Sequence, residues 1–199
     1  WNENPKIGRQ PDPKPGRHNS GWLQSPGVSI VNDPSQWDRL ERYVRDLIGS
    51  FREDSRILAW DLYNEPGNSK QDERSLPLLR SVFEWARAAD PTQPLTCAVW
   101  YENAALNSFQ LEASDVISFH NYNDAENLAA QIATLREHNR PLLCTEWMAR
   151  TRESLVATCL PVFHREGVAC YNWGLVAGKT QTLFPWGSPP GAPEPPLWF

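Results

Sequence analysis

The chain has 199 residues, 40% of them hydrophobic, and a formal charge of −5. That length fills one core without requiring a second, so a single domain over 1–199 is expected. No Lys/Arg cluster is available to displace counterions from a phosphate backbone, which excludes a nucleic-acid partner, and no apolar run approaches the ~18 residues of a membrane span.

Residues 1–32, with Pro5, Pro11, Pro13, Pro15 and Pro26 among Gly and Asn, cannot hold a regular helix or a central strand and read as a long loop able to roof a cleft. Asp33-Pro34-Ser35-Gln36 supplies an N-cap, a proline at the first helical position and a capping-box Gln. Apolar Trp37, Leu40, Tyr43, Val44, Leu47, Ile48 and Phe51 follow at helical spacing, predicting a helix of about five turns. The run from Ile57 to Glu65 then reads as a mostly buried strand that stops on a carboxylate. Asp61, charged inside that strand, is expected to be paired structurally.

Beyond it, Leu76 to Ala89 reads as a helix, Leu95 to Trp100 as a strand, and Ala104 to Leu111 as a short helix. Asp115 to Tyr122 is a strand, Ala125 to His138 an Ala/Leu-rich helix, and Pro141 to Trp147 a second strand carrying a terminal glutamate, Glu146. Arg152 to Arg165 is a helix, Gly167 to Leu175 a strand, and residues 179–199 a Pro-rich loop. Alternation of strand and helix implies parallel strands joined by crossover helices.

Strand ends near Glu65, Trp100, Tyr122, Glu146 and Trp173 are spaced by one strand-helix unit each time, leaving the two glutamates three units apart. In a closed eight-stranded barrel, strands three apart face each other across the mouth, where such barrels carry their chemistry. In an open sheet they stand well separated along one edge. The expected fold class is therefore α/β, a (β/α)8 TIM barrel read as incomplete, with the first strands and the last helix missing. Two carboxylates converging on one cleft are the minimal equipment for cleaving a glycosidic bond.

The four cysteines lack metal-type spacing and are expected to be buried thiols. Ten Trp exceed ordinary usage, and indole faces stack on sugar rings as readily as they fill cores. The opening Trp1-Asn2-Glu3-Asn4-Pro5 is neither a start methionine nor a signal peptide and reads as the interior of a longer frame, leaving the compartment open.

Asn64-Glu65-Pro66, His120-Asn121-Tyr122, Glu146-Trp147 and Trp173, in this order at successive strand ends, resemble clan A glycoside hydrolases, most closely the family 5 cellulase-like group. The resemblance covers residues 33 to 178 and maps the strands onto the fourth through eighth of a barrel. It implies retaining hydrolysis of β-linked oligo- or polysaccharides, without a cofactor or metal, by a monomer whose partner is a carbohydrate. Glu65 would be the general acid/base and Glu146 the nucleophile. Asn64 would bind the sugar 2-hydroxyl, Tyr122 would orient Glu146 with His120 beside it, and Trp173 would floor the cleaved sugar. Trp100 and Trp147 are further platform candidates, each equally able to be packing. His18 and the basic residues of the opening loop carry no motif. Two other readings stay open: a non-catalytic carbohydrate-binding barrel, and an inactive fragment of the enzyme. Glucan, mannan and xylan are not distinguished by any short motif.

Overall fold

The computed structural model describes residues 2, 3, 5–174 and 178–192. Leu175, the end of the last predicted strand, and the C-terminal prolines Pro193, Pro195 and Pro196 lie outside them. Contacts divide the chain into two compact units. The Glu65 unit comprises 28–119 and 138–143, and the Glu146 unit comprises the described residues of 1–27, 120–137 and 144–199.

The Glu65 unit begins with a one-turn helix, α1 (Val28–Val31), at the end of the loop where no helix was expected. Asp33 caps the next segment by accepting from the Ser35 N–H at 3.1 Å, and the Gln36 amide donates to the Asp33 carboxylate at 2.6 Å. This side-chain closure tightens residues Pro34–Gln36 into a 3-10 turn, so the regular helix α2 starts only at Asp38 and runs to Phe51. It packs on α3 (Leu76–Ala88), whose Leu78, Leu79, Val82, Phe83, Trp85 and Ala86 are buried at helical spacing. Each large apolar side chain buried here contributes about 1.5–3 kcal/mol. α4 (Ala104–Ala113) starts at Asn103, whose side chain accepts from the Leu106 N–H.

Two short parallel strands, β1 (Trp60–Asp61) and β2 (Leu95–Thr96), pair in register. β1 is much shorter than the run Ile57 to Glu65, and it is not mostly buried: Leu58 is 65% exposed and Asp61 is exposed. Among the described residues β2 is the one strand that pairs with it, which explains the exposure. Beyond β2 the bridge Val99↔Phe119 leads, also in parallel, to β3 (Ile117–Asn121), buried throughout. Buried hydroxyls tie these strands together: Thr96 Oγ1 lies 2.8 Å from the Val116 carbonyl and 2.7 Å from Ser118 Oγ. Gln110, 1% exposed, donates to the Ala98 carbonyl at 2.6 Å, where the ladder has lapsed. Asp115 takes a two-pronged bond from Arg87 at 2.7 and 2.8 Å and also accepts from the Leu95 N–H, joining α3 to the starts of β2 and β3.

β3 and β4 (Leu142–Trp147) run from the Glu65 unit into the Glu146 unit, and the ladder order β3-β4-β5 ends on β5 (Ala169–Cys170). α5 (Ala125–Arg136), capped by Asp124, connects β3 to β4, and α6 (Val156–Glu166) connects β4 to β5. α6 starts four residues later than the predicted Arg152, because Glu153 is left-handed at φ 60° and the Ser154 backbone pairs back with Ala149. β5 is shorter than Gly167–Leu175, although single bonds from Tyr171 to Cys144 and from Trp173 to Trp147 continue its course.

The architecture is thus mixed α/β with parallel strands taken in sequential order. The described strands do not close a barrel. Cys97, Cys144 and Cys159 are buried, Cys170 is partly exposed, and all are free. No helix among the described residues is long and apolar enough to cross a membrane.

Candidate active site

The glutamate of the Glu65 unit sits just past β1, where the Leu62 N–H makes the last ladder bond, to Thr96. There the chain turns sharply. Glu65 itself adopts φ 49°, and Ser69, Lys70 and Asp72 are left-handed as well. Each such non-glycine residue costs about 1–2 kcal/mol, strain that persists only when the surroundings over-determine it. Several bonds do so here. The Asn68 amide donates to Glu65 Oε2 at 2.7 Å while the Asn68 N–H donates to the Glu65 carbonyl at 3.1 Å. Trp100 Nε1 donates to the carbonyl of buried Pro66 at 2.9 Å. Gly67, at φ 89°, has no room for a side chain: a Cβ would come within 2.1 Å of Tyr101 Oη and 2.9 Å of Leu106 Cδ1. Trp100 is partly exposed and lies against Tyr101, with ring centroids 4.3 Å apart, and Asn64 is exposed.

The glutamate of the Glu146 unit stands on a regular strand. Tyr122 Oη donates to Glu146 Oε2 at 2.6 Å, and His120 Nδ1 lies 3.5 Å from the same oxygen. The His120 side chain is only 3% exposed and that of Glu146 16%. Strand alternation explains the grouping: His120 and Tyr122 share one face of β3 and its extension, while the intervening Asn121 faces α5, donating to Asn127 and Gln131. Trp147 likewise projects opposite to Glu146; it is 4% exposed and meets Phe163 of α6 edge-on at 5.1 Å. Burial, with the Cys170 and Glu146 charges adding to it, raises the Cys144 thiol well above its ordinary range, so this neighbour stays neutral.

An aromatic group surrounds Tyr122. Trp173, partly exposed, stands perpendicular to it with centroids 6.5 Å apart, and Trp186 meets it edge-on at 4.9 Å. His18 lies 5.3 Å from the Trp173 ring and 5.9 Å from that of Trp186. Its Nδ1–H donates to the Phe184 carbonyl, and burial lowers its pKa despite that bond, favouring a neutral ring. Arg152 lies over the Trp186 ring at 5.3 Å. Sequence reasoning missed Asn68, Arg152 and Trp186. Asn68 was signalled by the turn-forming Asn-Glu-Pro-Gly-Asn stretch. Trp186 sits in the Pro-rich tail, where no periodicity exists to point at it.

Chemically, a carboxylate that accepts a short phenolic bond is favoured in its ionised form. A family model described as cellulase (glycosyl hydrolase family 5) matches residues 17–178. The chain belongs to glycosyl hydrolase family 5. No curated protein matches this family 5 chain. Among solved structures, Bacteroides uniformis β-glucuronidase is similar at 17% identity and TM-score 0.59, over 71% of this chain and 22% of its own. Dictyoglomus thermophilum β-D-glucuronidase gives 18% identity and TM-score 0.57, over 71% and 29%. A glycosyl hydrolase family 2 member from Bacteroides cellulosilyticus gives 18% and 0.53, over 70% and 18%. At these identities the likeness is one of fold. The family 5 chain spans less than a third of the length of each of these structures.

Proposed function

We propose that the chain carries the catalytic glutamates of a retaining glycoside hydrolase acting on β-linked oligo- or polysaccharides of the cellulose, mannan or xylan type. The observation that carries this reading is the 2.6 Å bond from Tyr122 to Glu146 at the end of β4, inside a stretch matched by the family 5 model. A nucleophile must be ionised and aimed, and a partly buried phenol donating to one oxygen serves both needs.

In the proposed reaction, Glu146 attacks the anomeric carbon while Glu65 gives its proton to the leaving oxygen, breaking the glycosidic bond and forming a glycosyl ester on Glu146. Glu65, now ionised, takes a proton from water, whose oxygen attacks the same carbon and restores both carboxyls. Retention requires the two carboxyls to stand ~5–5.5 Å apart, the spacing a (β/α)8 barrel mouth provides. Asn64 is assigned to the sugar 2-hydroxyl and Trp173 to the floor of the cleaved sugar. His120 is assigned to hold the same Glu146 oxygen from Nδ1, 3.5 Å away. Trp100 takes a share of the platform, while Trp147 is left to packing. A non-catalytic sugar-binding protein, the reading from another class, would bind without turnover.

The test is hydrolysis of aryl β-glycosides and β-glycan oligosaccharides by the native chain and by Glu146→Gln. Turnover by the native chain and none by the variant is expected, with both equally folded by circular dichroism. Undiminished turnover by the variant, or sugar binding without any turnover in the native chain, would contradict the assignment.

A further inference from the structure

The two loops that open and close the chain build a cavity of about 490 Å³ in the Glu146 unit, lined by Arg17, His18, Asn19, Trp186, Ser188 and Pro190 among others. That volume lies within the range of small-ligand sites. Its walls are fixed by a network of bonds. Gln181 donates to the carbonyls of Lys14 and Arg17 at 2.7 and 3.1 Å and accepts from the Gly16 N–H at 2.9 Å. The Asn19 N–H donates to Thr180 at 2.8 Å, and the Gly191 N–H to Pro15 at 2.7 Å. Gly16 and Gly21 are required by the closeness of the two loops, since a Cβ would meet the Ala192 backbone at 2.6 Å and the Lys179 carbonyl at 2.4 Å.

The cavity carries one sign of charge. Among the described residues Arg17 is the only charged one lining it apart from the neutral-favoured His18, and none of them is a carboxylate. A second guanidinium, Arg152, lies on the Trp186 ring. Among the described residues neither Arg17 nor Arg152 is in an ion pair, although the chain as a whole carries −5. The Arg17 backbone is held by Lys14, Ser20 and Gln181 while the residue remains exposed. Trp186 is the shared wall: it lines the cavity and touches Tyr122, which holds Glu146.

We infer that this cavity is a subsite for an acidic glycosyl unit, a sugar bearing a carboxylate, which pairs with Arg17 while its ring lies along Trp186. Planar carboxylates match the guanidinium fork, and the low exposure to counter-charges leaves that fork available. The inference rests on the glycosidase reading and narrows its substrate to a β-glycan with uronic acid side groups or residues.

The test uses Glu146→Gln, to prevent turnover, with a matched pair of β-linked trisaccharides. One carries a terminal glucuronic acid, and in the other that carboxyl is reduced to hydroxymethyl. Calorimetry should find the acidic sugar bound about tenfold more tightly at low salt, as a charge-assisted bond provides, with the preference shrinking as salt is added. Adding Arg17→Met should remove the preference, and Arg17→Lys should keep a salt-sensitive part of it. Equal affinities, a preference that survives Arg17→Met, or binding of neither sugar would overturn the subsite. Hydrolysis of an aryl β-glycoside by the native chain reports separately on the glycosidase reading. Turnover without acidic preference sinks the subsite alone, and acidic preference without turnover sinks the glycosidase reading alone.

Discussion

The two glutamates are held in opposite ways. Glu65 depends on its backbone, a left-handed residue in a turn kept shut by Asn68, by the Trp100 bond to Pro66 and by a glycine with no space for a methyl group. Glu146 stands in an ordinary strand and depends on side chains from the neighbouring strand, Tyr122 and His120. The difference fits the proposed division of labour. A nucleophile must keep one orientation and one charge, which a short phenolic bond on a rigid strand provides. An acid/base must lose and regain a proton, and a strained turn fixes where its carboxyl is while the neutral Asn68 amide donates to it. Unlike groups of neighbours, not the carboxylates themselves, would separate the two roles.

The largest expected effects come from breaking each half in turn. Glu146→Gln removes the atom that forms the ester and should lower turnover at least about 10⁴-fold whatever the leaving group. Glu65→Gln should cost about 10²–10⁴-fold on sugar leaving groups and far less on an activated aryl leaving group, which departs without a proton. Initial rates on both substrate types separate the roles, and identical losses for the two variants would erase the distinction. Tyr122→Phe deletes one bond to a charged group and should reduce kcat/KM by about 10–100-fold, with unfolding midpoints nearly unchanged.

Stability changes sharpen the same contrast. Gly67→Ala imposes a left-handed alanine and a clash with Tyr101, costing about 1–2 kcal/mol from the backbone alone, and thermal unfolding should fall by several degrees. The smallest effect concerns Asp115. Partial burial would raise its pKa, but the bonds from Arg87 and the Leu95 N–H outweigh it and hold the carboxyl below its ordinary value. A folded pKa lower than the unfolded one stabilises above the unfolded value of about 4 and loses that contribution as pH falls through the folded value. Asp115→Asn should therefore cost at most about 1 kcal/mol near pH 7, since the pair is well exposed, and the difference from the native chain should fade toward pH 3 in urea titrations.

Much of this arrangement was legible in the sequence where periodicity or capping chemistry writes it. α2 follows from its apolar spacing, α3 and α5 follow from their apolar runs, and β4 follows from the apolar run before Glu146. The order of strands and helices came with them. Strand lengths did not, because β1 and β5 are set by how far a neighbouring strand runs beside them and not by their own apolar content. The start of α6 was misread because Ser154 finds a backbone partner in Ala149, which no local propensity encodes. Least legible were the two Pro-rich loops. Their union rests on Gln181, Gly16 and Gly21, residues whose meaning appears only when loops 161 to 165 residues apart in sequence are brought together. Trp186 belongs to that class, and so it was absent from the expected site.

Trapping the glycosyl ester tests the central claim most directly. A 2-deoxy-2-fluoro β-glycoside with a good leaving group slows the second step more than it prevents the first, so a retaining enzyme accumulates the ester. Mass spectrometry of the digested protein should find the fluorosugar on the peptide containing Glu146, specifically on Glu146, and none on the peptide containing Glu65. Label on Glu65 or elsewhere, or steady turnover of the unfluorinated glycoside with no ester trapped, would contradict the assignment of Glu146 as nucleophile.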